Sequence, residues 1–541
     1  MRRLLIAVCV AVPAAVVGFA GAFGLDELRS SAGAWNLLQA QRTVLAGDYA
    51  SAACTGSNPS TYLNPLFPML TAWLHELGLP LLTAGHALAA GAVGLAAAAL
   101  FWCWSDEHPE VGLAAAAGAL FVPMVGIGAL ARGDSLAVAL VLVTVGFALE
   151  GLRGVAIWPW ACAAASAGCV YLTREFLAGP ALGGLGVALL LALVTTPWRV
   201  RRGKVARLRL GALFAVSSVA PVVAFGVPWA LGLHPLGGLH AVMEVSAPGE
   251  IHSAGQRGIS EVLYLEQERL RWGLGLAGLA LATVRGLARR RLDALVWWGV
   301  LAPYLAFVAS VRQSAIYYLA GELVVLGGVA AFVAVLPWRP ARVLAAIAWA
   351  GSLAVDLPEA RTLLGGSGEL RYESEAWPAA SADVEALSGR VLRQLDDEVL
   401  VVVSRHLENA DAAFPLLHDR PVAFLFDPRP RDLAEVAEAS PGRAMVVALI
   451  GPVPAPTERL PEVLTLRGRE QVGALQAVLY DVDVERLPPS AILAACWDAA
   501  PPKARGACQQ AAWLADGDVG LARRLEAQVV RTPLRIRVPC W

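Results

Sequence analysis

Charge is scarce in this chain. Only 16% of its 541 residues are Asp, Glu, Lys or Arg, whereas soluble domains carry about 25%, and 57% belong to the hydrophobic set. With a mean hydropathy of +0.58, this composition excludes an ordinary soluble protein and indicates a membrane protein. The formal net charge of −1 provides no basic excess for nucleic acid, so we expect no nucleic-acid partner.

Motifs for metal and cofactor chemistry are also missing. No CxxC pair or Cys/His zinc spacing occurs, and the polar tail has no GxGxxG, P-loop or GxSxG motif. We therefore infer neither a metal nor a cofactor. Four of the eight cysteines lie in polar segments, where disulfides make sense only in an oxidising compartment. A bridge between Cys496 and Cys508 is one hypothesis.

Long apolar runs dominate the first two thirds of the chain. A helix needs about 20 apolar residues to cross a bilayer, and residues 1–357 contain eleven candidates. This predicts a membrane all-α bundle of about eleven transmembrane helices, followed by a C-terminal domain over residues 358–541. The candidates are 4–23, 83–104, 111–130, 135–152, 154–172, 176–197, 210–232, 272–288, 293–311, 315–337 and 341–357.

Basic residues predict the orientation. Dense arginine blocks at 199–209 and 285–291 fall on the same side of an eleven-span bundle, and that side is the cytoplasm by the positive-inside rule. The N-terminus is then cytoplasmic, while the first outer loop, 24–82, and the C-terminal domain are extracytoplasmic. In an alternative interpretation the first span is a cleaved signal peptide, which leaves residue 26 outside as well.

The tail beyond residue 358 alternates short β-branched runs with helix-like segments. This alternation predicts an extracytoplasmic α/β domain with a mostly parallel sheet. The expected strands are Val399–Val403, Val422–Phe426, Met445–Ile450, Val463–Leu466 and Ala477–Val482, with helices at Ala380–Leu395 and Leu433–Ala439.

Carboxylates and arginines collect at the predicted outer helix ends. A carboxylate can act as a general base toward an acceptor, and arginines can hold a phosphate leaving group. A lipid-linked phosphosugar would present its phosphate at this level, so the pattern favours glycosyl transfer from a lipid carrier. The candidate catalytic residues are Asp26, Glu27 and Asp134, and the candidate substrate- or phosphate-binding residues are Arg132, Arg174, Glu175, Arg312, Tyr317 and Tyr62.

Each of these residues also has a purely structural interpretation. Charged side chains at helix ends often only extend to the membrane interface. Asp134, two residues from Arg132, is open to interpretation as a simple neutralising partner.

Four segments together resemble the GT-C superfamily of membrane glycosyltransferases. Its members include protein O-mannosyltransferases, aminoarabinose transferases and the bacterial RgtA/B/C/D-like group. The similar segments are Asp26-Glu27 with Ala46-Gly47-Asp48-Tyr49 and Pro65-Leu66-Phe67-Pro68, then Ala131-Arg132-Gly133-Asp134-Ser135-Leu136, Thr173-Arg174-Glu175-Phe176-Leu177, and Arg312 with Tyr317-Tyr318-Leu319.

The resemblance covers about residues 1–340. It implies a hexosyl- or pentosyltransferase of the bacterial inner membrane that uses a polyprenyl-phosphate sugar and an extracytoplasmic glycan, lipid or protein acceptor. By position, Asp26 is the first candidate for the base and Glu27 the second. Asp134 is auxiliary, and Arg174 and Arg312 contact the phosphate.

Two other classes of protein compete with this interpretation. A transporter or flippase of lipid-linked saccharide would place ionisable groups near the bilayer centre and often shows internal repeats. A non-catalytic membrane protein would use its outer domain to bind a glycan or a partner. Substitution of Asp26 would leave such a protein functional.

Overall fold

The computed structural model describes most of the membrane helices and the centre of the tail. By internal contacts the chain divides into a membrane unit, residues 1–26 and 60–376, and a sheet unit, residues 27–59 and 377–541. The described residues are 2–22, 64–106, 108–154, 156–194, 202–231, 265–289, 292–310, 319–357, 381–396, 398–404, 442–452 and 463–487, with scattered positions inside 36–44 and 414–437.

Helices account for nearly all of the described membrane unit. In chain order they are α1 (Arg2–Ala22), α2 (Leu66–Glu76), α3 (Leu81–Trp104), α4 (Pro109–Ala117), α5 (Val122–Ala129), α6 (Gly133–Arg153), α7 (Trp158–Thr173), α8 (Ala178–Val194), α9 (Arg202–Pro221), α10 (Val227–Ala230), α11 (Leu265–Ala288), α12 (Ala294–Ser310), α13 (Leu319–Gly327), α14 (Ala330–Val335) and α15 (Arg339–Ala354). A short 3-10 turn, Glu175–Leu177, precedes α8, and a π-helical segment, Val222–Gly226, joins α9 to α10.

Four helical stretches in the described chain are long and apolar enough to cross a membrane, namely Leu81–Trp104, Gly133–Arg153, Glu175–Val194 and Leu208–Ala230. A fifth is added if the pair Pro109–Leu120 and Val122–Ala129, bent by 60°, is one span. Each of the eleven predicted segments overlaps a helix or a helix pair. The number of spans itself stays a prediction.

The bend between α4 and α5 follows from local sequence. Phe121 is extended between the two helices, and Pro123 lies in the first turn of α5. Proline has no N–H to continue a helical ladder, but it fits the first turn of a new helix. The chain therefore breaks at Phe121 and restarts in a new direction.

Small residues let the membrane helices approach closely. A Cβ added to Gly183 of α8 would lie 2.2 Å from the carbonyl oxygen of Gly299 of α12. The same distance separates such an atom on Gly278 of α11 from the carbonyl oxygen of Gly328, just beyond α13. Backbone contact through small residues is the usual way in which helices pack in lipid, where no hydrophobic effect drives them together.

Ion pairs join helix ends at the end of α6. The Arg153 guanidinium contacts Asp106, in the link between α3 and α4, and Asp293, just before α12, with Nε 2.7 Å from Asp293 Oδ2. One arginine therefore ties three helix ends together.

The described part of the sheet unit contains the helix α16 (Ser381–Leu392), a short 3-10 helix at Val484–Arg486 and five strands. These are β1 (Val399–Ser404), β2 (Ala423–Phe424), β3 (Met445–Pro452), β4 (Leu464–Val472) and β5 (Leu475–Val482). The sheet order is β2-β1-β3-β5-β4. An α/β arrangement was predicted for this part of the chain, and every predicted strand overlaps an observed one.

The prediction of a mostly parallel sheet is wrong for half of the sheet. β2, β1 and β3 are parallel, but β5 pairs antiparallel with both β3 and β4. β4 continues to Val472, six residues past its predicted end, and turns into β5 at Gly473, where φ is +55°. Because two residues cannot span a parallel crossover, this connection must be an antiparallel hairpin.

Arg467 of β4 fixes the edge of the sheet to the segment before β1. Its Nη1 donates to Glu398 Oε1 at 3.0 Å and to Asp481 Oδ1 at 3.2 Å, and its Nη2 donates to the Gln394 carbonyl at 2.9 Å. Partial burial acts to raise the pKa of Glu398. The hydrogen bonds from Arg467 and the Asp396 N–H, with the charge of Arg467, outweigh that effect and lower this pKa.

We expect Glu398→Gln to weaken the sheet unit at neutral pH and to have a smaller effect in acid. Because the pKa of Glu398 is lowered by folding, its contribution exists above its unfolded value of about 4.3 and disappears as pH falls through the folded value. An exposed pair of this kind contributes about 1 kcal/mol or less. Hydrogen exchange of β4, corrected for intrinsic rates, measures the difference from pH 7 to pH 3.

The matched control is Glu385→Gln, which removes an exposed carboxylate from α16. It should exchange like the wild type at every pH. A Glu398→Gln effect as large at pH 3 as at pH 7 would contradict the ionic origin of the stabilisation.

Candidate functional site

The turn before α6 places an acidic side chain at a helix N-terminus. Arg132 is extended, with φ −121° and ψ 148°, and Asp134 lies in the first turn of the helix. The exposed N–H groups and the dipole of a helix N-terminus favour a negative charge there. Asp134 is fully buried and Arg132 is 95% buried, so neither charge is solvated by bulk water.

Asp134 binds two arginines. Arg132 Nε donates to its Oδ2 at 2.7 Å. Arg174 places Nε 2.7 Å from Oδ1 and donates from Nη2 to Oδ2 at 3.0 Å. Arg174 is forty residues away along the chain, so the carboxylate joins two separate turns. We call Arg132, Asp134 and Arg174 the arginine triad.

A break in the helical chain brings Arg174 to Asp134. α7 ends at Thr173, Arg174 has extended backbone with φ −157° and ψ 101°, and a 3-10 turn starts at Glu175. α6 and α7 are consecutive helices joined by a short link, and the first turn of α6 lies beside the last turn of α7. The extended backbone at Arg174 directs its guanidinium from the end of α7 to Asp134 at the start of α6.

The segment that leads into α2 contacts the same place. The Asn64 amide, oriented to satisfy both groups, donates to Glu175 Oε2 at 2.6 Å and to the Thr173 carbonyl at 3.1 Å. A Cβ on Gly133 would lie 3.2 Å from Phe67 and 3.3 Å from the Thr173 methyl. Three chain segments therefore meet in one packed cluster.

α3 supplies a fourth element. Ser135 Oγ donates to the Ala89 carbonyl at 3.1 Å, which ties the first turn of α6 to α3. One turn earlier on α3, the His86 ring is 93% buried and lies against the backbone of Ala129. Neither ring nitrogen has a well-aligned hydrogen-bond partner among the described residues.

Four of the nine predicted site residues meet in the structure: Arg132, Asp134, Arg174 and Glu175. The others, Asp26, Glu27, Tyr62, Arg312 and Tyr317, lie outside the described residues, and their roles stay predictions. The polar cysteines of the suggested disulfide lie outside them as well.

Sequence reasoning missed Asn64 and His86 as members of the cluster. Asn64 directly precedes the Pro65-Leu66-Phe67-Pro68 motif, so its position beside a recognised motif was the available signal. His86 is a lone histidine in an apolar helix and carries no such signal.

The chemistry of the cluster is that of an anion site. Two guanidinium groups and one carboxylate, all ionised, sum to a formal charge of +1, and guanidinium forks match phosphate oxygens. Within the described ranges no group of three or more His, Cys, Asp or Glu side chains is arranged to hold a metal ion. Metal independence stays a prediction.

Comparison with solved structures gives the fold. The chain is similar to the crystal structure of ArnT from Cupriavidus metallidurans in the apo state, with a TM-score of 0.53 and 16% identity over 89% of this chain and 98% of that one. It is equally similar to ArnT from the same organism bound to undecaprenyl phosphate, with a TM-score of 0.53 and 15% identity over 88% and 97% of the two chains. No protein-family model and no curated protein sequence matches the chain.

At this level of identity the likeness shows a shared fold. It confirms the fold expected from the resemblance to the GT-C superfamily. With its apolar helices, the chain is a multi-pass membrane protein. The similarity extends over almost the whole length of ArnT.

We expect Asp134→Ala to destabilise the membrane unit strongly. Removing one partner from a buried ion pair costs about 3–5 kcal/mol, because the remaining charge stays in an apolar place. Here two arginines lose their shared carboxylate. Thermal unfolding of the detergent-purified protein, followed by intrinsic fluorescence, should show a midpoint several degrees lower.

Asp293→Ala is the control for this experiment. Asp293 is about one quarter exposed, and Arg153 keeps its contact with Asp106 when Asp293 is removed. Its midpoint should change little. Equal midpoints for Asp134→Ala and the wild type would contradict a structural role for the arginine triad.

Proposed function

We propose that this protein transfers a sugar from a polyprenyl-phosphate-linked donor to an extracytoplasmic acceptor. The observation that carries the proposal is the arginine triad, in which Asp134 holds Arg132 and Arg174 at 2.7 Å. It lies at helix ends in a chain with the fold of ArnT, a protein whose structure has been determined with undecaprenyl phosphate. The proposed location is the bacterial inner membrane.

The triad suits a lipid-linked phosphate. A phosphate group at the end of a polyprenyl chain lies at the headgroup level, where helices end. Asp134 restrains both guanidinium groups before any ligand arrives, so less side-chain freedom is lost on binding. Buried at low dielectric, arginines act on a phosphate more strongly than they would in water.

In the proposed reaction the bond between the anomeric carbon and the phosphate oxygen breaks. Its electron pair goes to the phosphate, which leaves as polyprenyl phosphate, and the acceptor oxygen or nitrogen forms the new bond to the sugar. Donors that meet the negative charge as it develops lower the barrier. Arg174 and Arg132 take that role, with Arg312 as a further phosphate contact and Tyr62 and Tyr317 as substrate contacts.

A carboxylate accepts the proton of the acceptor. Asp26 is the first candidate for this base and Glu27 the second. Asp134 is the less suitable base, because its two oxygens are occupied by guanidinium groups that stabilise the charged form. Its proposed contribution is to orient the arginines.

We expect Arg174→Gln to weaken binding of undecaprenyl phosphate by about tenfold or more. A hydrogen bond to a charged group contributes about 1.5–3 kcal/mol, and 1.4 kcal/mol corresponds to a factor of ten in Kd. Titration of the purified protein in detergent measures the change. Arg469→Gln, which removes an exposed arginine from β4, is the charge-matched control and should bind like the wild type.

If Arg174→Gln and the wild type bind undecaprenyl phosphate with equal affinity, the assignment of Arg174 as a phosphate contact is wrong. Loss of affinity in both variants would indicate a nonspecific charge effect.

We expect Asp26→Asn to abolish sugar transfer while binding of undecaprenyl phosphate persists. The amide has nearly the shape of the carboxylate but cannot accept a proton at neutral pH. The assay uses purified protein with a panel of polyprenyl-phosphate sugars, and Glu27→Gln is the paired variant. Full transfer by Asp26→Asn would contradict the base assignment, whereas absence of transfer by the wild type with every sugar of the panel would favour a transporter or flippase that binds the same lipid.

A further inference from the structure

The Asn64 amide contacts the residue before Arg174 and the residue after it. It donates to the carbonyl of the residue before Arg174, Thr173, at 3.1 Å and to the carboxylate of the residue after it, Glu175, at 2.6 Å. Arg174 is the extended residue between α7 and the 3-10 turn. One side chain from the segment before α2 therefore contacts the backbone of the residue before the arginine and the side chain of the residue after it.

Asn64 is itself held in place. The Pro65 carbonyl accepts from the Met69 N–H at 3.0 Å at the start of α2, and Phe67 of the same turn is buried against Gly133. Asn64 therefore projects from a packed helix start. A side chain anchored in this way can restrain another segment, because its own freedom has already been lost.

Glu175 is an unsuitable direct ligand for a phosphate. Its side chain is 92% buried, and a carboxylate form would repel the anion. Its Oε2 instead accepts the Asn64 amide, in a contact as short as those of the ion pairs. The role that fits this geometry is to hold the chain next to Arg174.

We propose that Asn64 and Glu175 form a latch that positions Arg174 for the donor phosphate. The inference rests on the proposed function, since it is expressed through phosphate binding. The latch acts through Arg174. With it, the extended backbone keeps the direction that sends the guanidinium to Asp134; without it, Arg174 samples other directions and the phosphate site is only partly formed.

Binding of undecaprenyl phosphate to the full-length protein tests the latch. Asn64→Ala should weaken binding about tenfold. In most molecules of this variant, Arg174 would point away from the site and its charged contact with the phosphate would be lost. In an Arg174→Gln background Asn64→Ala should cause no further loss of affinity, since the arginine through which it acts is gone. An unchanged affinity in Asn64→Ala, or additive losses in the double variant, would overturn the proposal.

Glu175→Gln and Glu175→Ala separate hydrogen bonding from charge. Gln keeps an acceptor oxygen for the Asn64 amide and removes the charge, whereas Ala removes both. The latch predicts that Glu175→Gln binds the lipid phosphate like the wild type and that Glu175→Ala binds it as weakly as Asn64→Ala. Equal losses in both Glu175 variants would show that charge, and not the hydrogen bond, is responsible, and would exclude the latch.

Thermal unfolding distinguishes failure of the latch from failure of the proposed function. Asn64→Ala, Glu175→Ala and the double variant form a cycle that needs no ligand, and the latch predicts a double variant less destabilised than the sum of the single ones. If the wild type does not bind undecaprenyl phosphate but the cycle is non-additive, the proposed function is wrong and the contact is structural only. An additive cycle removes the latch whatever the lipid binding shows.

Discussion

The pairing of Asp134 with two arginines is the interaction on which the described site depends. None of these three charges is favourable alone at a buried helix end. Their pairing makes the start of α6 and the extended residue after α7 meet, because Arg132 and Arg174 need the same carboxylate. The rest of the cluster, from Ala89 on α3 to Phe67 on α2, packs around this junction.

Close helix packing keeps the junction in place. α8, which begins right after the Arg174 turn, contacts α12 through Gly183 and Gly299 with no room for a side chain between them. Interiors packed so closely do not deform gradually. The position of the Arg174 turn is therefore also fixed by the packing of α8 against α12.

The membrane helices and part of the site could be predicted from sequence. Runs of apolar residues have a length imposed by the bilayer, and the polar residues that interrupt them, such as Arg132 and Arg174, mark the helix ends. Consecutive antiparallel helices place the start of the first beside the end of the second. The proximity of these two arginines could therefore be predicted without knowledge of contacts between distant segments. A local pattern was enough.

The contacts that were missed depend on distant or unusual partners. Asn64 and Glu175 are more than a hundred residues apart in the sequence, and nothing about an asparagine before a proline identifies its hydrogen-bond partner. In the sheet unit, the last six residues of β4 are mostly polar, because this strand lies at the edge of the sheet with both sides largely exposed. Without alternating apolar residues they gave no strand signal, and the antiparallel β4–β5 hairpin was missed with them.

Under the proposed function, the charge of the arginine triad matters as much as its geometry. A polyprenyl-phosphate sugar is a phosphodiester with one negative charge, whereas the phosphate monoester that leaves carries up to two near neutral pH. With a formal charge of +1, the triad interacts more strongly with the phosphate as the second charge develops, which favours the transition state over the bound donor. Two arginines without Asp134 would bind donor and product more tightly and slow the release of the lipid phosphate. Asp134 thus contributes to turnover twice, because it orients the arginines and also limits their charge.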